Sequence, residues 1–118
     1  MTQEEKKLLL QDLSARLPYG VQVEIEGFHS GVLRGIDNGT VSTDRGINYP
    51  LRYVKPYLRP LSSMTEEEKK TARSFFDYSG CSDLDENIKY IDWLNENHFD
   101  YRGLIPMGLA SEAPEGMY

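Results

Sequence analysis

The densest run of chemistry-bearing side chains is His98-Phe99-Asp100-Tyr101-Arg102. An imidazole, a carboxylate, a phenol and a guanidinium within five residues contain the parts of an acid–base site. Each also has a structural use. His98 falls where a helical pattern ends, and a cation is welcome at that end of a helix dipole. Asp100 and Arg102 can pair, or satisfy backbone groups as the chain leaves the helix. Tyr101 can pack its ring and keep its hydroxyl wet. No second carboxylate or nucleophile is placed beside them, so the segment does not specify a catalytic centre. The chain is therefore expected not to be an enzyme. A small enzyme built on His98, Asp100 and Arg102 is the alternative, and it requires the three to converge in one pocket.

A second pattern lies in Tyr53-Val54-Lys55-Pro56-Tyr57-Leu58-Arg59. In an extended chain Tyr53, Lys55, Tyr57 and Arg59 share one face, and Val54, Pro56 and Leu58 take the other. Alternating rings and cations suit stacking on bases and pairing with phosphates. Residues 34–59 hold five Lys/Arg against Asp37 and Asp44. The same pattern equally suits an edge strand, whose cationic stems cover rings and block edge-to-edge aggregation.

Other chemistry is sparse. There is no Gly-x-x-x-x-Gly-Lys-Ser/Thr loop, and Gly31 and Gly35 do not lead into a helix, so no phosphate cradle or cofactor is expected. Two histidines, His29 and His98, and one cysteine cannot close a zinc site unaided. Asp83-Leu84-Asp85-Glu86-Asn87 resembles the start of a calcium loop. Ile88 stands where that loop needs Gly, and Leu94 where it needs Glu, so a carboxylate-rich helix start is the expected role. Cys81, between Gly80 and Ser82 ahead of that helix, has no nearby histidine as a base and is expected to be a bland loop thiol.

The elements that must position these residues are legible as an α+β pattern. Thr2 and Glu5 have capping-box spacing, and Leu10, Leu13 and Leu17 form an apolar stripe closed by Pro18 and Gly20, which predicts a helix over 3–16. Val21, Val23 and Ile25 alternate with polar residues as a strand. Gly27 to Gly31 is a turn. A second strand runs over Val32-Leu33 and Ile36, with a bulge or bend at Gly35. Asn38-Gly39 suits a two-residue hairpin turn. Thr40–Thr43 and Ile47–Tyr49 are further strands, and Pro50–Tyr53 is one helical turn. Val54–Leu58 is a last strand, placed at an edge because Pro56 and Pro60 cannot donate to a ladder. Five short strands with a helical turn before the fifth have the plan of a small SH3-like antiparallel β-barrel.

Residues 62–118 read as a C-terminal helical segment and tail, packed as one unit on the helix and barrel of residues 1–61. Thr65 and Glu68 cap a helix over 66–77 whose buried face is Ala72, Phe75 and Phe76. Ser79-Gly80 breaks it. Ser82 or Asp83 caps a third helix, with Ile88, Ile91, Trp93 and Leu94 inward and an end near Asn97. The apolar stretch 104–110 has no periodicity, so it packs either within the chain or on a partner. Ser111–Tyr118 reads as a loose terminus.

Within 118 residues the composition, 39% apolar with 13 aromatics, provides one modest core and excludes a disordered chain. No apolar run approaches membrane-spanning length, the acidic N-terminus lacks a signal-peptide pattern, and a lone cysteine makes no internal disulfide. These features point to a cytoplasmic protein with no membrane partner. Residues 1–61 carry eight Lys/Arg and seven Asp/Glu, whereas residues 62–118 carry five and twelve.

Residues 54–68, Val54-Lys55-Pro56-Tyr57-Leu58-Arg59-Pro60-Leu61-Ser62-Ser63-Met64-Thr65-Glu66-Glu67-Glu68, resemble short uncharacterised proteins of prophages and mobile elements in gut anaerobic bacteria. So do residues 92–105, Asp92-Trp93-Leu94-Asn95-Glu96-Asn97-His98-Phe99-Asp100-Tyr101-Arg102-Gly103-Leu104-Ile105, and Leu8 to Gly20. The resemblance implies a phage-associated protein and lends no catalytic residue. With the charge split it leads to the expectation of a non-catalytic protein–protein interaction module whose acidic half meets a basic partner. Nucleic-acid binding through the 53–59 face is the alternative.

Overall fold

The computed structural model describes residues 1–75 and 84–118. Cys81, Phe76 and the proposed Ser79-Gly80 break and Ser82 or Asp83 cap lie outside the described residues. Helix α1, Gln3–Arg16, starts on the expected capping box: Thr2 accepts from Glu5 N, and the Glu5 carboxylate accepts from Thr2 N. Those bonds hold the Glu5 carboxyl below its ordinary pKa. The inward stripe differs from the one expected. Leu9 and Leu13 are fully buried together with Asp12 and Arg16, whereas Leu10 and Leu17 are half-buried. A leucine count cannot see that the helix turns an ion pair inward.

Five strands follow: β1 (Gln22–Ile25), β2 (His29–Asp37), β3 (Thr40–Thr43), β4 (Gly46–Pro50) and β5 (Val54–Pro60), with a 3-10 turn at Leu51–Tyr53 before β5. Val21, Val23 and Ile25 all face the core. The β2–β3 hairpin turns on Asn38 and Gly39, both at positive φ, which is the conformation a two-residue hairpin needs. The β2–β3 register shifts between Leu33 and Gly35, where a bulge or bend was expected. The first hairpin is tighter than predicted, because β2 already begins at His29 and Gly31 lies inside it. Gly31 is required for approach rather than for a turn: a Cβ there would lie 2.8 Å from Asp44 Oδ1, the atom that accepts from Val32 N.

The strands do not close into a barrel. They form an open seven-stranded mixed sheet in the order β4-β3-β2-β1-β5-β6, completed by β6 (Phe99–Asp100) and β7 (Ser111–Glu112). Both added strands run parallel to β5, so the C-terminal segment extends the sheet while β4 ends its other side. This overturns the SH3-like barrel, and with it the edge position of β5, which pairs with β1, β6 and β7. Pro56 is tolerated for a reason of register. Tyr53 O accepts from Glu26 N, so the odd-numbered residues of β5 exchange bonds with β1. Pro56, opposite Val23, falls where that ladder asks for no donor.

Helix α2 (Glu66–Ser74) has the expected Thr65–Glu68 capping box. It carries no fully buried residue; Ala72 and, just past its end, Phe75 are half-buried. Helix α3 (Leu84–Glu96) turns Leu94 and the half-buried Trp93 inward but leaves Ile88 and Ile91 exposed, against expectation. Rings of Phe75, Tyr90, Trp93 and Phe99 pack in sequence at centroid distances of 5.5–6.3 Å, tilted except for the stacked Tyr90–Trp93 pair, and dock both helices beside β6. The stretch 104–110 packs inside the chain, with Leu104, Leu109 and Ala110 joining the main core. The terminus is not loose. Ala113 N donates to Leu58 O, and the Tyr118 hydroxyl donates to Tyr57 O and accepts from Gln22 N. Among the described residues no helix is long and apolar enough to cross a membrane.

Candidate functional site

The polar residues gather where α1, the end of α3 and β6 meet. Asp12 and Arg16, one helical turn apart, are fully buried and paired through two bonds: Arg16 Nε to Asp12 Oδ2 at 2.8 Å and Nη2 to Oδ1 at 3.1 Å. Arg16 Nη2 also donates to Phe99 O at 2.6 Å, which ties α1 to β6. Its guanidinium lies 5.3 Å from the Tyr101 ring centroid, and its Nη1 has no hydrogen-bond partner. Arg102 also approaches this carboxylate, with Nε 3.3 Å from Asp12 Oδ1. That distance pairs the charges, but the Nε–H is not aligned to donate. Arg102 donates to the Tyr101 hydroxyl, which in turn donates to Asn95.

Each residue of the predicted trio has different partners. Asp100 spends both carboxylate oxygens on backbone amides, accepting from Leu104 N at 2.8 Å and Ile105 N at 2.9 Å. Arg102 belongs to Asp12 and Tyr101. His98, at φ +62°, stacks on Tyr118 with ring centroids 3.8 Å apart, and its buried Nδ1 has no partner. None of His98, Asp100 and Arg102 bonds to another of the three. Desolvation, reinforced by the charges of Arg16 and Arg59, pushes the His98 pKa down to about 4, so the ring is neutral at pH 7. Burial also raises the Tyr118 hydroxyl to about 12. A neutral imidazole stacked on a neutral phenol suits a packed joint between β6 and the C-terminus.

Asp100 therefore acts as a loop clamp, and its loss should register as stability. Asp100→Ala should cost about 2–3 kcal/mol in urea unfolding, because two charge-assisted bonds vanish and two amides lose their acceptors. Asp100→Asn, which keeps one carbonyl acceptor, should fall between that variant and the parent.

The 53–59 face alternates as expected, with Val54, Pro56 and Leu58 buried beneath it. Two of its four side chains are already engaged. The Tyr57 hydroxyl hydrogen-bonds with Ser30 Oγ at 3.2 Å. Arg59 makes a bidentate pair with Glu68 at 2.8 and 2.7 Å and lies 4.2 Å over the Phe99 ring. That pairing holds the Glu68 carboxyl down at about 2. Tyr53 is half-buried and overlaid by Arg52 at 4.8 Å, and Lys55 is exposed. Asp85 and Glu86 stand in the first turn of α3, whereas Asp83, the first residue of the calcium-like segment, lies outside the described residues. Among the described residues no group of three or more His, Cys, Asp or Glu side chains is placed to hold a metal ion.

Two features escaped the sequence pattern. Asp12 and Arg16 carried a signal, since they fall at i and i+4 beside Leu9 and Leu13, but charged residues on an apolar stripe are ordinarily assigned to water. The outward apolar pair on α3 had no such signal. The chain matches no protein-family model, no curated protein and no solved structure.

Proposed function

We propose that this chain is a protein–protein interaction module, of the kind prophages and mobile elements carry, and that the outer face of α3 is its docking surface. The observation that supports it is the pair Ile88 and Ile91, one turn apart and 50% and 40% exposed. They line a shallow depression of about 230 Å³ with Asn87 and Asp92. The exposed carboxylate of Glu96 stands one turn beyond Asp92. Apolar side chains bordered by carboxylates complement a segment that presents apolar residues among lysines and arginines, such as a basic amphipathic helix. The acidic balance of residues 62–118 would speed the encounter with such a partner.

Affinity capture with Ile91→Lys beside the parent chain tests this. The parent should retain a basic protein that is released as salt rises. The variant should lose at least tenfold of that retention while keeping the parent's circular dichroism. A retained set that ignores the Ile91 change would remove α3 as the docking face.

A further inference from the structure

A groove of about 950 Å³ lies elsewhere, between α1 and the 3-10 turn that precedes β5. Lys6 and Lys7 line its helical wall, Arg52 faces them from the turn, and Arg102 also lines it. Gln3, Gln11 and Ser14 add neutral polar groups along the same helix face, and no carboxylate lines the groove. Four cations thus line one groove whose lining holds no acid, in a chain whose net charge is −6.

Their partners sharpen the contrast. Arg16, Arg59, Lys69 and Lys89 each pair with a carboxylate. Among the described residues Lys6, Lys7 and Arg52 pair with none. Arg102 is held by the fully buried Asp12, so its guanidinium is fixed at the groove while its side chain stays 27% exposed. Glu4 and Glu5 line a separate depression that shares only Lys7 and Gln11 with the groove. Leu10, Pro50 and Leu51 add an apolar strip to the lining.

We propose that this groove binds a phosphate-bearing ligand with a flat organic portion, namely a nucleotide polyphosphate or the corresponding unit of a nucleic-acid strand. Lys6 and Lys7 supply point charges for phosphate, Arg52 and Arg102 supply forked donors, and the apolar strip receives the base. The volume is at the upper end for a small-ligand site. The site is independent of the α3 face, so either can fail alone.

Isothermal titration at low salt with ATP, inorganic tripolyphosphate and a short oligothymidylate, on the full chain, provides the test. ATP should bind more tightly than tripolyphosphate, because the latter lacks a base for the apolar strip. An oligothymidylate that binds more tightly than ATP would assign the phosphates to a strand, and one that binds no better would assign them to the free nucleotide. Lys7→Glu and Arg52→Glu should each weaken binding about tenfold or more, as expected for loss of a charged hydrogen bond. Lys55→Glu, an exposed cation outside the groove, and Ile91→Lys should leave it unchanged. Absence of binding to all three probes would overturn the proposal. So would an equal loss with Lys55→Glu, which would mean diffuse attraction to surface charge.

Discussion

Replacing Arg16 by alanine should destabilise the protein by about 3–5 kcal/mol, the usual cost of stranding one member of a buried ion pair. The partner left behind is Asp12, fully buried, with only the misaligned Arg102 nearby. The same change removes the 2.6 Å bond to Phe99 O, so a strand carbonyl loses its side-chain donor as well. Asp12→Ala should cost a similar amount, since it leaves a buried guanidinium with one carbonyl and the face of Tyr101. For a domain whose total stability is about 5–15 kcal/mol this is a large share. The double variant Asp12→Leu, Arg16→Met should recover most of the loss, because it removes both charges and refills the space with apolar atoms. Urea unfolding of the four proteins closes the cycle. If the double variant were as unstable as the sum of the singles, the two residues would be acting separately, and the paired geometry would not be their reason for being buried.

The second large effect is on pH. The His98 ring refuses a proton until about pH 4, whereas in the unfolded chain it takes one near 6.5. Between those values the unfolded state binds the extra proton. Stability contributed by the neutral ring is therefore complete above pH 6.5 and is lost as pH falls toward 4, by up to about 3 kcal/mol. Glu68, held at about 2 by Arg59, adds a separate loss only below pH 4.5, where its unfolded counterpart begins to protonate. Acid sensitivity should thus come in two stages. His98→Asn tests the first, because Asn tolerates the positive φ at this position and does not titrate. The variant gives up the stack on Tyr118, so its stability at neutral pH should be lower. The informative quantity is the slope: between pH 6.5 and 4.5 it should flatten relative to the parent. Parallel slopes would show that His98 protonates freely in the folded protein.

The sequence carried most of the local structure. Capping boxes at Thr2 and Thr65, alternation at Val21, Val23 and Ile25, the Asn38-Gly39 turn and the irregularity at Gly35 all depend on contacts within a few residues. Each could be read from spacing alone, and each stands in the structure. Failures occurred where a residue's role depends on a distant partner. Pro56 and Pro60 argued for an edge, but the β1 register puts Pro56 where no donor is needed, and β6 and β7 from the far end of the chain lie along β5. Five strands in SH3-like order argued for closure, and the same two C-terminal strands extend the sheet instead.

The candidate sites show the same division. His98, Asp100 and Arg102 are neighbours along the chain, yet tertiary structure gives each a different partner: Tyr118, two backbone amides, and Asp12 with Tyr101. Lys6 and Lys7 are separated from Arg52 and Arg102 by tens of residues, yet folding sets all four around one groove. Local hydrogen bonding and hydrophobic period are properties of a short segment and are written in it. Burial of a charge, and convergence of charges, depend on which surfaces meet, and only the packed chain determines that.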